Sequence, residues 1–502
     1  MRSLMPISCI IPLFFGCTGD QQTLTFPTLP DIESSTTSST TAQFSTSTQT
    51  KEFVLSLVGE VRGELEPCGC PTLPYGGFAR RTVALQEVLD GHTVFQLDAG
   101  ETLLKGFFSN KGDTSIDRAL LIGELSKDIG VDVWTVGPSD LIAVGMETLQ
   151  TMTGPPRISA TWYNNEGQRY FEPFKVISKD NIQIAVIGLS THPTDPRYQF
   201  IETKSAKETL AALLPDIPSD IDMIVALGSM DDEEISDLQY TFPSIALFLS
   251  TEGANYEDPQ HKPNATQIIE APKQGRFIQN IYVRQTQPQK RLDNHVNEAD
   301  WRTWLMVKDD PTHSVHQTLA EKGQRKNLYF TELIPLSATF DRTDTASQEK
   351  IASFAQSTIQ KSQAIAEQPT TTTEPGFAAS GRCAQCHTAE MAKWSFTNHS
   401  RAWESLLTHP VEGSTTNPDC IGCHTTGFGQ VGGFGEPSTS NLRKFKAVQC
   451  EACHGPLKGH PNDKSIQPTP IDKDTCLGCH DAANSPDFDF DTYLRKATCQ
   501  SK

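Results

Sequence analysis

The sequence predicts a multidomain chain in which a layered α/β sandwich is followed by a small domain made mainly of short helices and loops. Three observations support this prediction. Apolar strands alternate with helical segments over residues 52–285, four copies of Cys-x-x-Cys-His fall within the last 120 residues, and residues 18–51 are rich in Ser and Thr. A chain of 502 residues commonly holds roughly two to four domains.

Residues 1–17 are predicted to be a lipoprotein-type signal peptide. Arg2 precedes an apolar run over residues 7–15, which is too short to span a bilayer and is typical of a secretory signal. The sequence Phe14-Phe15-Gly16-Cys17 resembles a bacterial lipobox, which implies lipidation of Cys17, with ordinary signal cleavage nearby as the alternative. We therefore expect an exported protein, periplasmic or associated with the outer membrane, that meets the membrane through its lipid anchor only.

Residues 18–51 are predicted to be a disordered tether, because a segment so rich in Ser, Thr and Gln cannot bury a core. The chain carries 61 acidic against 42 basic residues, a net charge of −19. This balance argues against a nucleic-acid partner. An acidic surface could steer a basic protein partner, and simple solubility is the other explanation.

Residues 52–285 show the alternation of strands and helices that is typical of a layered α/β fold with a mixed sheet. Lys179-Asp180-Asn181 lies between two apolar runs and predicts a hairpin turn. The predicted strands are 53–58, 93–97, 131–136, 174–177, 182–188, 223–227, 245–249, 266–269 and 277–283, and the predicted helices are 80–89, 120–129 and 206–214.

The residues at the strand ends carry a resemblance to a known family. Val58-Gly59-Glu60-Val61-Arg62-Gly63, Gly76-Gly77-Phe78-Ala79-Arg80-Arg81 and Leu97-Asp98-Ala99-Gly100-Glu101 resemble the 5′-nucleotidase branch of the calcineurin-like metallophosphoesterases. The resemblance implies a metallophosphoesterase-like sandwich. In that family, strand-end Asp, His and Asn residues hold two metal ions that carry out hydrolysis.

This sequence departs from the family pattern at the metal ligands. The Asp-x-His motif of the family is replaced by Glu60 and Arg62, and its bridging Asp by Glu101. Its Gly-Asn-His motif becomes Gly137-Pro138-Ser139-Asp140, and Ser229 and Thr251 stand where later histidines are expected. Glu60, Asp98, Glu101 and Asp140 could still form a carboxylate cluster. We expect the fold without hydrolysis and assign no metal to this domain, with a surviving phosphoesterase as an alternative.

Cys68 and Cys70 form a Cys-x-Cys pair on the loop that borders the metal pocket in the related fold. Such a pair can act as a dithiol, hold a soft metal or form a disulfide. We treat both residues as candidate redox thiols, and a structural disulfide is an equally strong interpretation.

Residues 286–374 are predicted to be a helical connector and linker. Segments 301–307 and 347–367 have helical spacing, and the Pro- and Thr-rich stretch 368–374 is a linker. The longer helix could pack against the last domain or act as a solvated spacer.

The spacing of Cys-x-x-Cys-His in residues 375–502 is the signature of covalent c-type haem attachment. Two thiols bind the haem vinyl groups and the adjacent His is an axial ligand of the iron. Paired zinc sites also use Cys-x-x-Cys but do not require a His after every second Cys. We therefore predict four covalent haems, attached at Cys383, Cys386, Cys420, Cys423, Cys450, Cys453, Cys476 and Cys479, with His387, His424, His454 and His480 as proximal ligands.

Three further histidines, His399, His409 and His460, are candidate distal ligands. Three candidate distal histidines for four haems predict three irons with two His ligands each and one iron that is open or has a different ligand. The segment from Trp394 to Ala402 resembles the distal-His segment of the tetrahaem cytochrome c-554 family, and the resemblance extends over 377–495.

Related chains are expected to close with a His near the C-terminus, where this chain has Cys499. Three explanations are open: one haem lacks a distal ligand, Cys499 binds it as a thiolate, or Cys499 is a surface thiol. Met391 is a further candidate ligand, although a Met on a helix is more often part of a core.

These observations predict an exported tetrahaem cytochrome c that transfers electrons between redox protein partners or quinol-linked donors, with the nucleotidase-like domain as an accessory module. Besides the phosphoesterase, two alternatives remain. One is an oxidoreductase that acts on a small nitrogen or sulfur compound at a five-coordinate haem. The other is a dithiol reductase in which Cys68 and Cys70 draw electrons from the haems.

Overall fold

The computed structural model describes part of the chain. The described residues are 51–67, 74–104, 114–230, 232–251, 268–290, 292, 294–296, 299–300, 303, 313–315, 327–341, 344–371, 373–409, 411, 413–480, 484–485 and 487–497. The predictions for the signal peptide, the tether, Cys17, Cys68, Cys70, Cys499 and most of the helix over 301–307 concern residues outside these ranges.

The N-terminal domain is built on two mixed sheets, which confirms the predicted layered α/β fold. The strands of the first sheet are β1 (Lys51–Val58), β2 (Val94–Asp98), β3 (Val133–Thr135), β4 (Arg157–Ile158), β12 (Phe277–Gln285), β13 (Asn294–His295) and β14 (Leu328–Pro335). They are arranged in the order β13-β14-β12-β1-β2-β3-β4. Strands β1 to β4 run parallel, and β12 lies antiparallel to β1.

The strands of the second sheet are β6 (Phe174–Lys179), β7 (Ile182–Leu189), β9 (Met223–Gly228), β10 (Leu247–Ser250) and β11 (Ile268–Glu270), and β5 (Trp162–Tyr163) and β8 (Glu202–Thr203) form a separate pair. The five strands are arranged in the order β11-β10-β9-β7-β6. The predicted hairpin at Lys179-Asp180-Asn181 is present, since β6 and β7 pair antiparallel on either side of it.

The two sheets pack face to face, with helices on the outer faces. Alternate residues of β1, such as Phe53 and Leu55, share a core with Ile184 of β7 and Val225 of β9. Burial of these side chains supplies the main favourable free energy of the domain. The helices are α1 (Phe78–Val88), α2 (Thr114–Asp128), α3 (Pro138–Val144), α4 (Met146–Thr151), α5 (Ala206–Leu213) and α6 (Asp232–Thr241).

The first sheet extends beyond the expected domain boundary at residue 285. Strand β14 pairs with β12 over eight residues, from Phe277 opposite Pro335 to Arg284 opposite Leu328. Residues 286–374, expected to be a helical connector, therefore contribute a strand to the N-terminal core. Helix α7 (Thr345–Ala366) follows, close to the predicted range.

Helix α7 packs against both domains and is not a solvated spacer. Its residues Ile351 and Phe354 join the core formed by α2 and α3, and Ile359 contacts the core of the C-terminal domain. Ser362 donates a hydrogen bond to the carbonyl oxygen of Phe434, at 3.3 Å. The helix thus connects the two domains by direct packing.

The C-terminal domain has short elements and a small apolar core. Six buried residues form this core: Phe377, Trp403, Leu406, Ile421, Phe434 and Phe445. The elements are α8 (Ser380–Cys383), α9 (Thr388–Trp394), α10 (Ala402–Leu407), α11 (Pro418–His424), α12 (Thr439–Phe445), α13 (Cys450–His454), β15 (Lys458–Pro461), α14 (Lys473–Leu477) and α15 (Phe490–Ala497). Across the described ranges, no helix is both long and apolar enough to cross a membrane.

Candidate haem centre and strand-end site

Each Cys-x-x-Cys-His segment folds as a single helical turn. In the first, the backbone N–H of His387 donates to the carbonyl of Cys383 at 2.9 Å, and His480 does the same to Cys476 in the fourth. The second and third motifs lie within α11 and α13. A turn of this kind presents both sulfurs and the imidazole on one side, as attachment to a single porphyrin requires.

All four motifs line one cavity of about 2070 Å³. Every motif Cys and every motif His contributes to this lining, as do His399, His409 and His460, whereas Met391 does not. Pockets for a single small ligand are typically about 300–1,000 Å³. The volume and the donor set therefore fit several large prosthetic groups better than one.

The proximal histidines have their Nδ1 atoms in different environments. Nδ1 of His424 lies 2.5 Å from the carbonyl oxygen of Ala402, and Nδ1 of His480 lies 2.8 Å from the hydroxyl of Ser485. Because a carbonyl oxygen can only accept, the contact with Ala402 places the proton of neutral His424 on Nδ1 and leaves Nε2 available to a metal, whereas the hydroxyl of Ser485 orients the ring of His480. Nδ1 of His454 is buried without a hydrogen-bond partner among the described residues.

The candidate distal histidines differ in their suitability as ligands. Burial lowers the pKa of His399, which favours the neutral imidazole that a metal requires. His460 Nδ1 lies 3.3 Å from the carbonyl of Ile466, which leaves its Nε2 available. His409 Nδ1 instead accepts the N–H of Val411 at 3.2 Å, which places the proton of its neutral form on Nε2.

The first and third motifs are in direct contact. A hydrogen bond with the Cys450 thiol lowers the pKa of Cys383 to about 7 in the free-thiol form, despite an opposing effect of burial. The indole N–H of Trp394 donates to the carbonyl of Val448 at 2.8 Å, and the N–H of Val448 donates to the carbonyl of His399 at 3.1 Å. The segment after the first motif is therefore tied to the segment before the third.

The carboxyl ends of the central strands bring together the acidic residues expected at the degenerate metal site. Glu60, Arg62 and Glu101 have left-handed backbones, with φ of 45°, 54° and 57°. Such conformations are strained for non-glycine residues and concentrate at functional sites. Glu101 accepts the N–H of Ser139 at 2.9 Å, and Gly137 leaves room for it, since a β-carbon there would lie 2.2 Å from Oε1.

Positive side chains contact Glu60, and backbone N–H groups bind Asp140. Glu60 pairs with Arg62 at 2.8 Å and with Lys273 at 3.6 Å. Asp140 is fully buried and accepts hydrogen bonds from four backbone N–H groups, those of Glu101, Thr102, Leu103 and Gly137. Within the described residues, no group of three or more Asp, Glu, His or Cys side chains is placed to hold a metal ion.

The region that holds the first three haem motifs is similar to known cytochromes. Residues 382–455 match the family model described as cytochrome c554 and c-prime. The C-terminal region contains a cytochrome c554 domain. A curated relative, cytochrome c-554 of Nitrosomonas europaea, is 34% identical over 99 residues, which cover 17% of this chain and 41% of the relative. The chain thus spans about two fifths of that relative's length.

The N-terminal domain is similar to solved phosphoesterase structures at low identity. A 5′-nucleotidase precursor from Thermus thermophilus is 15% identical, with a TM-score of 0.44, over 69% of this chain and 67% of that chain. The sulfate thiohydrolase SoxB of Thermus thermophilus is 12% identical, with a TM-score of 0.47, over 63% and 62%. A likeness at this level does not carry an activity.

The N-terminal domain also lines part of the cavity that the four haem motifs share. Glu64, Glu66, Pro67 and Arg118 line it together with the second motif. Arg118 is buried and donates to Asp419, next to Cys420, at 2.5 and 3.2 Å. The two domains therefore enclose the haem motifs jointly.

The sequence alone did not indicate three of the residues that shape this region. Asn417 caps α11 and donates to Glu66 across the domain boundary, and Arg118 makes the longer-range ion pair described above. Glu451, between the cysteines of the third motif, is also buried. An acidic residue between two motif cysteines was a signal in the sequence, but the partners of Arg118 and Asn417 lie hundreds of residues away.

The strand-end site gives a pH prediction for Asp98. Burial raises the pKa of Asp98 to about 6 from an ordinary 3.8, opposed by Arg81 and by hydrogen bonds from Gly100 and Thr102. Because the folded pKa is the higher one, this contribution to stability is complete below about pH 4 and is lost as the pH rises through 6. The shift corresponds to roughly 3 kcal/mol.

The free energy of unfolding of Asp98→Asn is therefore expected to fall less between pH 4 and pH 7 than that of the wild type. Guanidinium unfolding followed by far-ultraviolet circular dichroism at both pH values measures it, with Asp237→Asn as the exposed control. Equal pH dependence in Asp98→Asn and wild type would contradict the prediction.

Proposed function

We propose that this protein is an exported tetrahaem cytochrome c that transfers electrons, with haem bound covalently at all four motifs. The observation that carries the proposal is the single cavity of about 2070 Å³ in whose lining every motif Cys and His takes part. Motifs that share one cavity keep their prosthetic groups close together, which electron transfer among them requires. The cytochrome c554 match over residues 382–455 supports the same function.

The chain's own residues hold and orient the groups. The paired cysteines would hold the haems covalently, and each motif histidine would bind one haem iron. When bound, the haems supply reversible one-electron chemistry at iron, with potentials set by axial ligands and surroundings. The hydrogen bonds at Nδ1 of His424 and His480 fix the ring orientation needed for that bond.

His399 and His480 are proposed to bind the same iron. Their ring centres lie 6.1 Å apart, a separation at which nitrogens of both imidazoles could reach one metal ion with bonds of about 2 Å. His460 is proposed as a second distal ligand, and the hydrogen bonding of His409 makes it the weakest of the three candidates.

This ligand count leaves at least one iron without a distal His, which carbon monoxide can test. Carbon monoxide binds to a ferrous haem with an open coordination position, and it does not bind to a haem whose iron keeps two His ligands. The reduced protein is expected to show a shifted Soret band for about a quarter of its absorbance. An unchanged Soret band would exclude the open iron and, with it, the oxidoreductase alternative.

The N-terminal domain is proposed to be an accessory domain without hydrolytic activity. Arg62 and Lys273 pair with Glu60, and both oxygens of Asp140 accept hydrogen bonds from backbone N–H groups, so these two carboxylates are already engaged and are poorly placed to bind two divalent cations. Phosphodiester turnover with added Mn²⁺ that is lost in Asp98→Asn would overturn this proposal.

Export, lipidation at Cys17 and a periplasmic or outer-membrane-associated location are proposed from the leader sequence. Redox proteins or quinol-linked donors are the proposed partners. Radiolabelled palmitate incorporation that persists after Cys17→Ala would refute the anchor.

A dithiol reductase is a second candidate because of the position of Pro67. Pro67 precedes Cys68 in the sequence and lines the haem cavity, whereas Cys68 and Cys70 themselves lie outside the described residues. In such a reaction a Cys68–Cys70 disulfide would accept two electrons, one from each of two reduced haems, and two protons from solvent, and would become two thiols. Reductive titration should consume two more electrons per wild-type chain than per Cys68→Ser/Cys70→Ser chain, and equal consumption would exclude this function.

A further inference from the structure

Glu451 is a buried carboxylate inside the third haem motif. It lies between Cys450 and Cys453, and only 2% of it is exposed. The other motifs have Ala-Gln, Ile-Gly and Leu-Gly at the two positions between their cysteines. A buried charge is costly unless it is paired or hydrogen-bonded, so its environment requires a physical explanation.

The carboxylate of Glu451 is held by backbone N–H groups. Oε1 accepts from Ala378 and Leu457, both at 2.8 Å, and Oε2 accepts from Ala378 at 3.0 Å and Ala379 at 2.8 Å. Backbone dipoles stabilise the charge without cancelling it. A net negative charge therefore stays inside the domain, where the effective dielectric is lower than in water.

These contacts connect the first motif with the third. Ala378 and Ala379 come directly before α8, which ends at Cys383, and the N–H of Ser380 donates to the side chain of Gln449 at 2.7 Å. Ala379 has a left-handed backbone with φ of 66°. Gln449 and Glu451 together thus hold the start of the first motif against the third.

We propose that Glu451 is a positioning residue that holds the first motif against the third and a fixed negative charge that lowers the reduction potential of the haems bound there. The inference rests on the proposed haem binding. A buried anion near a haem stabilises the ferric form relative to the ferrous form, since reduction adds an electron to the same region.

The test is Glu451→Gln, which keeps the size of the side chain and removes its charge. Holoprotein that carries four haems is titrated spectroelectrochemically. We expect the reduction equilibrium of one or two haems to shift at least tenfold toward the ferrous form, which is about 59 mV for a one-electron couple. Glu436→Gln, at an exposed position outside the cavity lining, is the matched control and should leave all four potentials unchanged.

A four-haem Glu451→Gln protein with wild-type potentials, or with potentials shifted downward, overturns the proposal. If Glu451→Gln loses a haem, Glu451→Asp decides: recovery of four haems by the shorter carboxylate supports the positioning role, and the same loss in both variants overturns it. The wild-type haem count is measured first, so a failure of haem binding itself is distinguished from a failure of this inference.

Discussion

Replacing Cys450 and Cys453 by alanine is expected to leave three haems per chain, one for each of the three intact motifs among the four in the sequence. It should also loosen the domain, because α13 is preceded by Gln449 and contains Glu451, and the buried side chains of these two residues bind residues 378–380. With few apolar residues in the core, loss of a central prosthetic group removes much of the packed interior. Haem stoichiometry and resistance to limited proteolysis measure both effects.

The matched control is the same double substitution at Cys476 and Cys479. Helix α14 contains no buried residue, so this variant should also lose one haem while it keeps the protease resistance of the remaining domain. Four haems in the Cys450→Ala/Cys453→Ala protein would show that the third motif does not attach haem. Equal protease sensitivity in the two variants would show that the third motif is not central to the fold.

Replacing Arg118 by methionine is expected to loosen the contact between the two domains. The guanidinium donates to Asp419 and to the carbonyl of Gly63, at 3.0 Å, and lies 5.1 Å from the ring of Phe354. Removing one partner of a fully buried ion pair costs about 3–5 kcal/mol. Because the Asp419 side chain is 25% exposed, we expect a smaller loss, about 2 kcal/mol, from solvent screening.

Hydrogen exchange measured by mass spectrometry tests this expectation at both sides of the contact. Arg118→Met should accelerate exchange in residues 61–67 and 416–424. Arg80→Met is the matched control, because Arg80 makes a similar two-bonded pair with Asp341 within the N-terminal domain. It should leave exchange in 416–424 unchanged. Identical exchange in Arg118→Met and wild type would refute the domain contact.

A double replacement separates the cost of an unpaired charge from the value of the pair. Arg118→Met with Asp419→Asn should restore part of the stability that Arg118→Met alone loses, since neither partner is then left charged and unpaired. A double variant that is less stable than Arg118→Met would mean that Asp419 contributes through other contacts.

The local features of the fold could be predicted from the sequence. Apolar runs located strands such as β1 and β7, because residues buried on both faces of a layered sheet form continuous apolar stretches. The haem motifs required no structural knowledge, since covalent attachment fixes the spacing of two thiols and an imidazole within one helical turn. Both signals lie within a few consecutive residues.

The features that the sequence did not predict depend on contacts between distant residues. Strand β14 was missed because its membership of the first sheet follows from pairing with β12, across a long intervening segment. The same holds for Arg118 with Asp419, which are 301 residues apart, and for the proximity of His399 to His480. Helical spacing showed that α7 exists, but not that it packs against both domains.

The number of haems per chain shows whether all four motifs attach haem. Purified full-length protein, assembled in a host that matures c-type cytochromes, is assayed as the alkaline pyridine haemochrome, with protein quantified by amino-acid analysis and haem addition confirmed by intact mass. Four covalent haems per chain are expected, one for each Cys-x-x-Cys-His motif. Any other stoichiometry, or haem that is extracted by acid solvent, would contradict it.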